Sequence, residues 1–244
     1  MSVKALWRGV ARPGAGELLV SEVFGPTLQG EGPSAGQAAA FVRLGGCNLR
    51  CLWCDTAYTW DQANYDLSRE LSVRRTDDVA EEVLGLGLQL VILTGGEPAL
   101  QAVEALHLTR LVQDAGPRVE VETSGTVPLQ GLADAAALIV VSPKLSNAGL
   151  RPEARLRWDV LSGLSALSNT VFKFVVADPA ELTEIDEVAE RLSLQRSKVW
   201  VMPEATESTD LLQRMAELAG PVAERGWSLT GRMQVLLWGN ERGH

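Results

Sequence analysis

The sequence predicts an α/β fold whose parallel strands form an open barrel of about six strand–helix units. Three observations carry this expectation. Strand-length apolar runs alternate with amphipathic helical stretches, and that alternation makes right-handed βαβ units and a parallel sheet. Leu88–Leu93, apolar but for Gln89, reads as a strand buried on both faces. The segments GPTLQGEG, LGGCNLRC, TGGEP, ETSG and SPK each follow a strand-like run, at the end of such a sheet where active sites lie.

The elements follow in order. Leu18–Phe24 and Ala38–Leu44 read as strands joined by the glycine-rich loop GPTLQGEGPSAG. Thr76 is placed to cap a helix running through Val83, with Asp77 and Asp78 at its positive end. Leu88–Leu93 leads through Thr-Gly-Gly into a helix over Ala99–Asp114, stopped by Gly116-Pro117. Arg118–Glu122, Leu138–Val141, Val171–Val176 and Val199–Met202 are the remaining strands. Leu182, Ile185, Val188, Ala189 and Leu192 share one helical face, and a further helix runs through Leu211–Leu218.

Length and charge narrow the class. At 244 residues with 46% hydrophobic content, one large α/β domain with a buried core is expected. A formal charge of −9 argues against non-specific nucleic-acid binding, which needs many lysines and arginines on phosphates. No run reaches the roughly 18 apolar residues of a membrane span, and the N-terminus has no apolar leader core, so no membrane association is expected. Residues 1–17 read as an extension without assignable chemistry, and 18–244 as the core domain.

All three cysteines lie in one window, Cys47-Asn-Leu-Arg-Cys51-Leu-Trp-Cys54. Three thiols cannot pair completely, and Cys51 and Cys54 are too close for a relaxed bridge, so reduced thiols and a cytoplasmic location are expected. A structural zinc site wants four Cys or His ligands. The two histidines, His107 within a helix and the terminal His244, are poorly placed to complete one. An iron–sulfur cubane normally takes four thiolates; with three, one iron stays open for a small molecule.

CxxxCxxC resembles the signature of the radical S-adenosylmethionine superfamily. That resemblance implies a partial (β/α)6 TIM-like open barrel of parallel strands. It also implies a 4Fe-4S cluster on Cys47, Cys51 and Cys54 whose open iron binds S-adenosylmethionine, with one electron yielding a 5′-deoxyadenosyl radical. In that reading Trp53 stands near the adenine, against a packing role. Cys54-Asp55 and Gly96-Glu97 of TGGEP meet the cofactor, against an ordinary strand-to-helix turn. Ser142-Pro143-Lys144 would be a third contact, against a strand-ending turn. The glycines let main chain approach the ligand.

The N-terminal half narrows the resemblance. Glu22-Val-Phe-Gly-Pro-Thr-Leu-Gln-Gly-Glu-Gly32, Gly36-Gln37, Phe41-Val-Arg43, Cys54-Asp-Thr56, Glu122-Thr-Ser-Gly125 and Leu236–Gly243 are similar to the 7-carboxy-7-deazaguanine synthases of queuosine biosynthesis. This implies a lyase acting on 6-carboxy-5,6,7,8-tetrahydropterin with loss of ammonia. Leu28, Gln29, Gly30, Glu31 and Thr94 would contact that substrate. Arg43 would take its carboxylate, or form a rim salt bridge. Thr56 would hold Mg²⁺, or cap a turn. Glu122 would be a polar contact or proton acceptor. The resemblance further implies a homodimer and an external electron donor of flavodoxin or ferredoxin type. Gln234 stands where the resemblance implies a histidine near substrate in some relatives. The alternatives are a glycine-radical activase, which shares the cysteine spacing, and a zinc module.

Overall fold

The computed structural model describes residues 12–239 and 241–243. Most of the expected extension, residues 1–11, and the terminal His244 lie outside the described residues. The chain divides into two compact units.

Among the described residues, the first unit holds 12–27, 38–123 and 127–139. Its elements are β1 (Glu17–Leu28), β2 (Ala38–Leu44), α1 (Leu67–Glu70), β3 (Ser72–Arg75), α2 (Thr76–Gly85), β4 (Leu90–Gly95), α3 (Ala102–Asp114), β5 (Arg118–Thr123), α4 (Leu132–Ala135) and the start of β6 (Leu138–Val141). Within it the strand order is β3-β1-β2-β4-β5. β2 pairs with β4, and β4 with β5, all parallel. Ala39, Ala40, Val42 and Leu44 of β2 and Leu90–Leu93 of β4 are buried, so both strands read as apolar runs. Burial of each such Leu, Ile or Val contributes about 1.5–3 kcal/mol.

One polar side chain ties this core to the metal loop. Gln101, buried, accepts from Leu19 N at 2.7 Å and donates to the carbonyls of Leu19 and Gly45, both at 3.1 Å. All its amide contacts are to main chain, so burial is affordable without a charge.

Among the described residues, the second unit holds 28–37, 124–126, 140–239 and 241–243. After the end of β6 come α5 (Pro152–Arg155), α6 (Trp158–Ser165), β7 (Thr170–Val176), α7 (Leu182–Arg191), β8 (Val199–Pro203), α8 (Ser208–Glu224), β9 (Ser228–Leu229) and α9 (Met233–Trp238). The order here is β6-β7-β8-β9, with β7–β8 and β8–β9 parallel. Leu182, Ile185 and Val188 form the buried face of α7, as their spacing predicts.

The fold is the expected α/β class, with strand–helix units and largely parallel pairing. Several details differ. β3, a charged SVRR stretch, pairs antiparallel on β1 and was not legible as a strand. β1 continues through Gly25-Pro26 to Leu28, four residues past the expected end at Phe24. Thr76 is not the cap of α2; Arg75 takes that position without a side-chain bond. The Thr76 hydroxyl instead donates to Glu104 Oε2 at 3.0 Å. Residues Pro98–Gln101 form a 3₁₀ turn ahead of α3.

Candidate active site

The metal loop leaves the end of β2. Cys47, Cys51 and Cys54 are in no disulfide, and each is half-buried. Local bonds shape the loop: Leu49 N lies 3.4 Å from Cys47 Sγ, and Cys54 N donates to Cys51 O at 3.3 Å. Burial pushes the Cys47 thiol up, the Glu97 carboxylate adds to this, and the charges of Cys54 and Cys51 act in the same direction. The Cys47 sulfur therefore feels the other two, and a bound cationic centre would favour its thiolate form. Among the described residues no three His, Cys, Asp or Glu groups converge as around a single ion. A cluster does not need that convergence, because each thiolate binds its own iron. Three soft donors on one loop, without a fourth cysteine, fit a cubane better than zinc.

The TGGEP segment clasps this loop through bare backbone. Gly96 N donates to Leu44 O at 2.9 Å and Glu97 N to Gly46 O at 2.8 Å. A Cβ at Gly96 would fall 1.9 Å from Gly46 O, and one at Gly95 only 2.2 Å from Leu44 O. Both glycines are thus fixed by close packing of chain on chain, whatever the ligand. The Glu97 side chain, wholly buried, accepts from Ala99 N at 3.0 Å and Thr123 Oγ1 at 2.8 Å. It thereby joins the end of β4 to the end of β5.

Thr56 sits just past the third cysteine, at the cap position of the 3₁₀ turn Ala57–Thr59, yet its side chain makes no capping bond. Its hydroxyl lies 3.7 Å from Cys54 Sγ. Trp60 Nε1 approaches the same sulfur at 3.3 Å. Sequence reasoning missed Trp60, because five residues of loop separate it from Cys54. Trp53 is half-buried and Asp55 exposed.

Two polar pairs complete this unit's group. Arg43 Nε donates to Glu22 Oε1 at 2.6 Å, and Tyr58 Oη to the same oxygen at 2.8 Å. The Arg43 guanidinium also lies 5.5 Å from the Phe24 ring, which stacks on Phe41. The salt bridge weighed for Arg43 is therefore present, at side-chain exposures of 15% and 16% rather than on an open rim. Thr94 Oγ1 donates to Glu122 Oε2 at 2.8 Å, joining two residues read separately from the sequence.

In the second unit, Glu31 is the hub. Lys173 Nζ donates to its Oε2; Arg232 Nε at 3.2 Å and Gln234 Nε2 at 2.7 Å donate to its Oε1. Burial alone would raise the Glu31 carboxyl, but the cations of Lys173 and Arg232 and these hydrogen bonds hold it well below the usual carboxylate range. Gln29 Oε1 accepts from Glu31 N at 3.2 Å. A Cβ at Gly30 would lie 1.7 Å from Gln234 Oε1, so Gly30 makes room for that amide. Gln234 Oε1 itself is buried without a hydrogen-bond partner among the described residues. Leu28 is half-buried beside this group. Lys144 Nζ donates to Ser142 Oγ at 3.0 Å, with Pro143 buried between them, and Arg155 Nη1 donates to Lys144 O at 2.9 Å.

Three thiols on a loop clasped to a TGGEP turn, in an α/β fold, define a radical S-adenosylmethionine enzyme, and residues 41–158 match the family model described as the Radical SAM superfamily. A 7-carboxy-7-deazaguanine synthase from Pyrobaculum aerophilum is 34% identical over 231 residues, 92% of this chain and 96% of the relative. One from Rhodopirellula baltica is 34% identical over 249 residues, 96% of this chain and 92% of the relative. The chain belongs to the 7-carboxy-7-deazaguanine synthase family. The crystal structure of QueE from Escherichia coli shares the fold, with TM-score 0.66 at 24% identity, covering 94% of this chain and 98% of that one.

Proposed function

We propose that this chain converts 6-carboxy-5,6,7,8-tetrahydropterin to 7-carboxy-7-deazaguanine with loss of ammonia, in queuosine and 7-deazapurine biosynthesis. The observation that carries this is the likeness to synthases of that name across more than nine-tenths of the chain. Cys47, Cys51 and Cys54 hold a 4Fe-4S cluster. When bound together with S-adenosylmethionine, a cluster held there would supply radical chemistry able to take hydrogen from carbon.

The chain's own residues bind, orient and exclude water. Cys54-Asp55, Gly96-Glu97, Ser142-Pro143-Lys144 and Trp53 meet S-adenosylmethionine, Trp53 by stacking. Thr56 holds Mg²⁺; its hydroxyl being unused for capping supports this reading. Arg43 takes the substrate carboxylate. Glu22, itself held by Tyr58, fixes the Arg43 guanidinium beforehand, so little side-chain entropy is lost on binding. Leu28, Gln29, Gly30 and Glu31 meet the pterin edge. The ionised Glu31 is an acceptor for its N–H groups, and the unsatisfied Gln234 Oε1 is a second. Thr94 contacts substrate, and Glu122, held by Thr94, is the proton acceptor. An external flavodoxin-like or ferredoxin-like protein delivers the electron. The core domain spans 18–244, acts in the cytoplasm and forms a homodimer. No helix of the described residues is long and apolar enough to cross a membrane.

The test is anaerobic incubation of reconstituted protein with the carboxytetrahydropterin, S-adenosylmethionine, reductant and Mg²⁺. The deazaguanine acid is the expected product. An intact cluster that cleaves S-adenosylmethionine but yields no deazaguanine would overturn the assignment in favour of another radical substrate.

A further inference from the structure

The indole of Trp60 is built into the metal loop without serving as core. Its backbone is fixed twice: Trp60 N donates to Ala57 O at 3.0 Å, and the preceding carbonyl, Thr59 O, accepts from Gly46 N at 2.8 Å. Thr59 is fully buried, and its hydroxyl closes on Thr56 O at 2.8 Å. From that anchor the half-buried ring aims Nε1 at Cys54 Sγ, at 3.3 Å. On its π-system, 5.2 Å from the ring centroid, stands the guanidinium of Arg50, an exposed residue within the cysteine window. The order is therefore cation, indole, thiolate.

We propose that Trp60 is a positioning residue that sets the reduction potential of the cluster by donating an N–H···S hydrogen bond to Cys54, with Arg50 strengthening the donor. This rests on the family reading above. Adding an electron to a thiolate-bound cluster puts negative charge on its sulfurs. A donor aimed at one of them stabilises the reduced form more than the oxidised one and raises the potential. A cation over the indole face draws electron density from the ring and makes its N–H a stronger donor.

The experiment is a redox titration of the reconstituted cluster, followed by its visible absorbance and by the paramagnetic signal of the reduced form. Trp60→Phe keeps an aromatic ring and removes the N–H together with the ring that carries it. It is expected to shift the reduction equilibrium about tenfold toward the oxidised form, which is about 59 mV for one electron. Arg50→Gln, which leaves the indole in place, is expected to shift it about threefold the same way, and Leu52→Ala not at all. An intact cluster with the same midpoint in Trp60→Phe and wild type overturns the proposal alone. Where the Phe variant fails to hold its cluster, an unchanged midpoint in Arg50→Gln overturns it. A wild-type chain that assembles no cluster overturns the family reading and this proposal together.

Discussion

At the scale of single residues, the site is a set of side chains already committed to partners. Glu31 is the clearest case, a carboxylate held by an ammonium, a guanidinium and an amide. Removing one cation leaves uncompensated charge in a buried place, so Lys173→Met is expected to cost about 3–5 kcal/mol in denaturant unfolding. Because the folded Glu31 carboxyl lies below its ordinary value of 4.5, its contribution is complete above that value and lost as pH falls through the folded one. Glu31→Gln is therefore expected to flatten the acid side of the stability curve below about pH 4.5 while costing stability at neutral pH, as thermal melts across pH would show. Thr56→Val is expected to weaken Mg²⁺ stimulation of turnover and leave cluster absorbance intact; unchanged Mg²⁺ dependence would remove Thr56 from the metal site. Cys51→Ala is expected to abolish both cluster and turnover, read as lost absorbance near 400 nm and no 5′-deoxyadenosine, since one of three anchors is gone.

At the scale of elements, local patterning was legible and distant pairing was not. β2 and β6 begin and end where their apolar runs do. β3 carries no apolar alternation; its existence depends on the neighbouring β1, which a local window does not see. The same limit hid half of the Glu31 group. Lys173 sits within an apolar run that reads as a plain strand, and it meets a partner 142 residues away in sequence. Arg232 meets the same carboxylate across 201 residues. The spacing of the three cysteines and the TGGEP turn after β4 were legible from the local sequence alone. The reason for the paired glycines was not, since it lies in the backbone they touch. Gly96→Ala is expected to break the clasp between the β4 end and the metal loop. The obstructing atom is a carbonyl oxygen, so the cost is expected at the upper end of the ~1–3 kcal/mol of an overpacked site, with cluster content falling alongside.

At the scale of the whole molecule, folding and cofactor loading are linked. Whatever binds the native chain and not the unfolded one adds stability by mass action. Each kcal/mol moves the melting midpoint of a chain this size by about 2–4 °C. Chelating the cluster away is expected to lower that midpoint by at least about 5 °C in anaerobic calorimetry, with little change in the far-ultraviolet spectrum.

The contact of Gly95 and Gly96 with Leu44–Gly46 has a consequence for what this loop tolerates. It works as a gauge block, with the gap set by the thickness of bare main chain. The first thiol follows one residue beyond Gly46, so its distance from the strand mouth does not depend on any side chain's volume or rotamer. An exposed residue such as Leu52 is free to vary for the sake of outside surfaces while the thiol keeps its station.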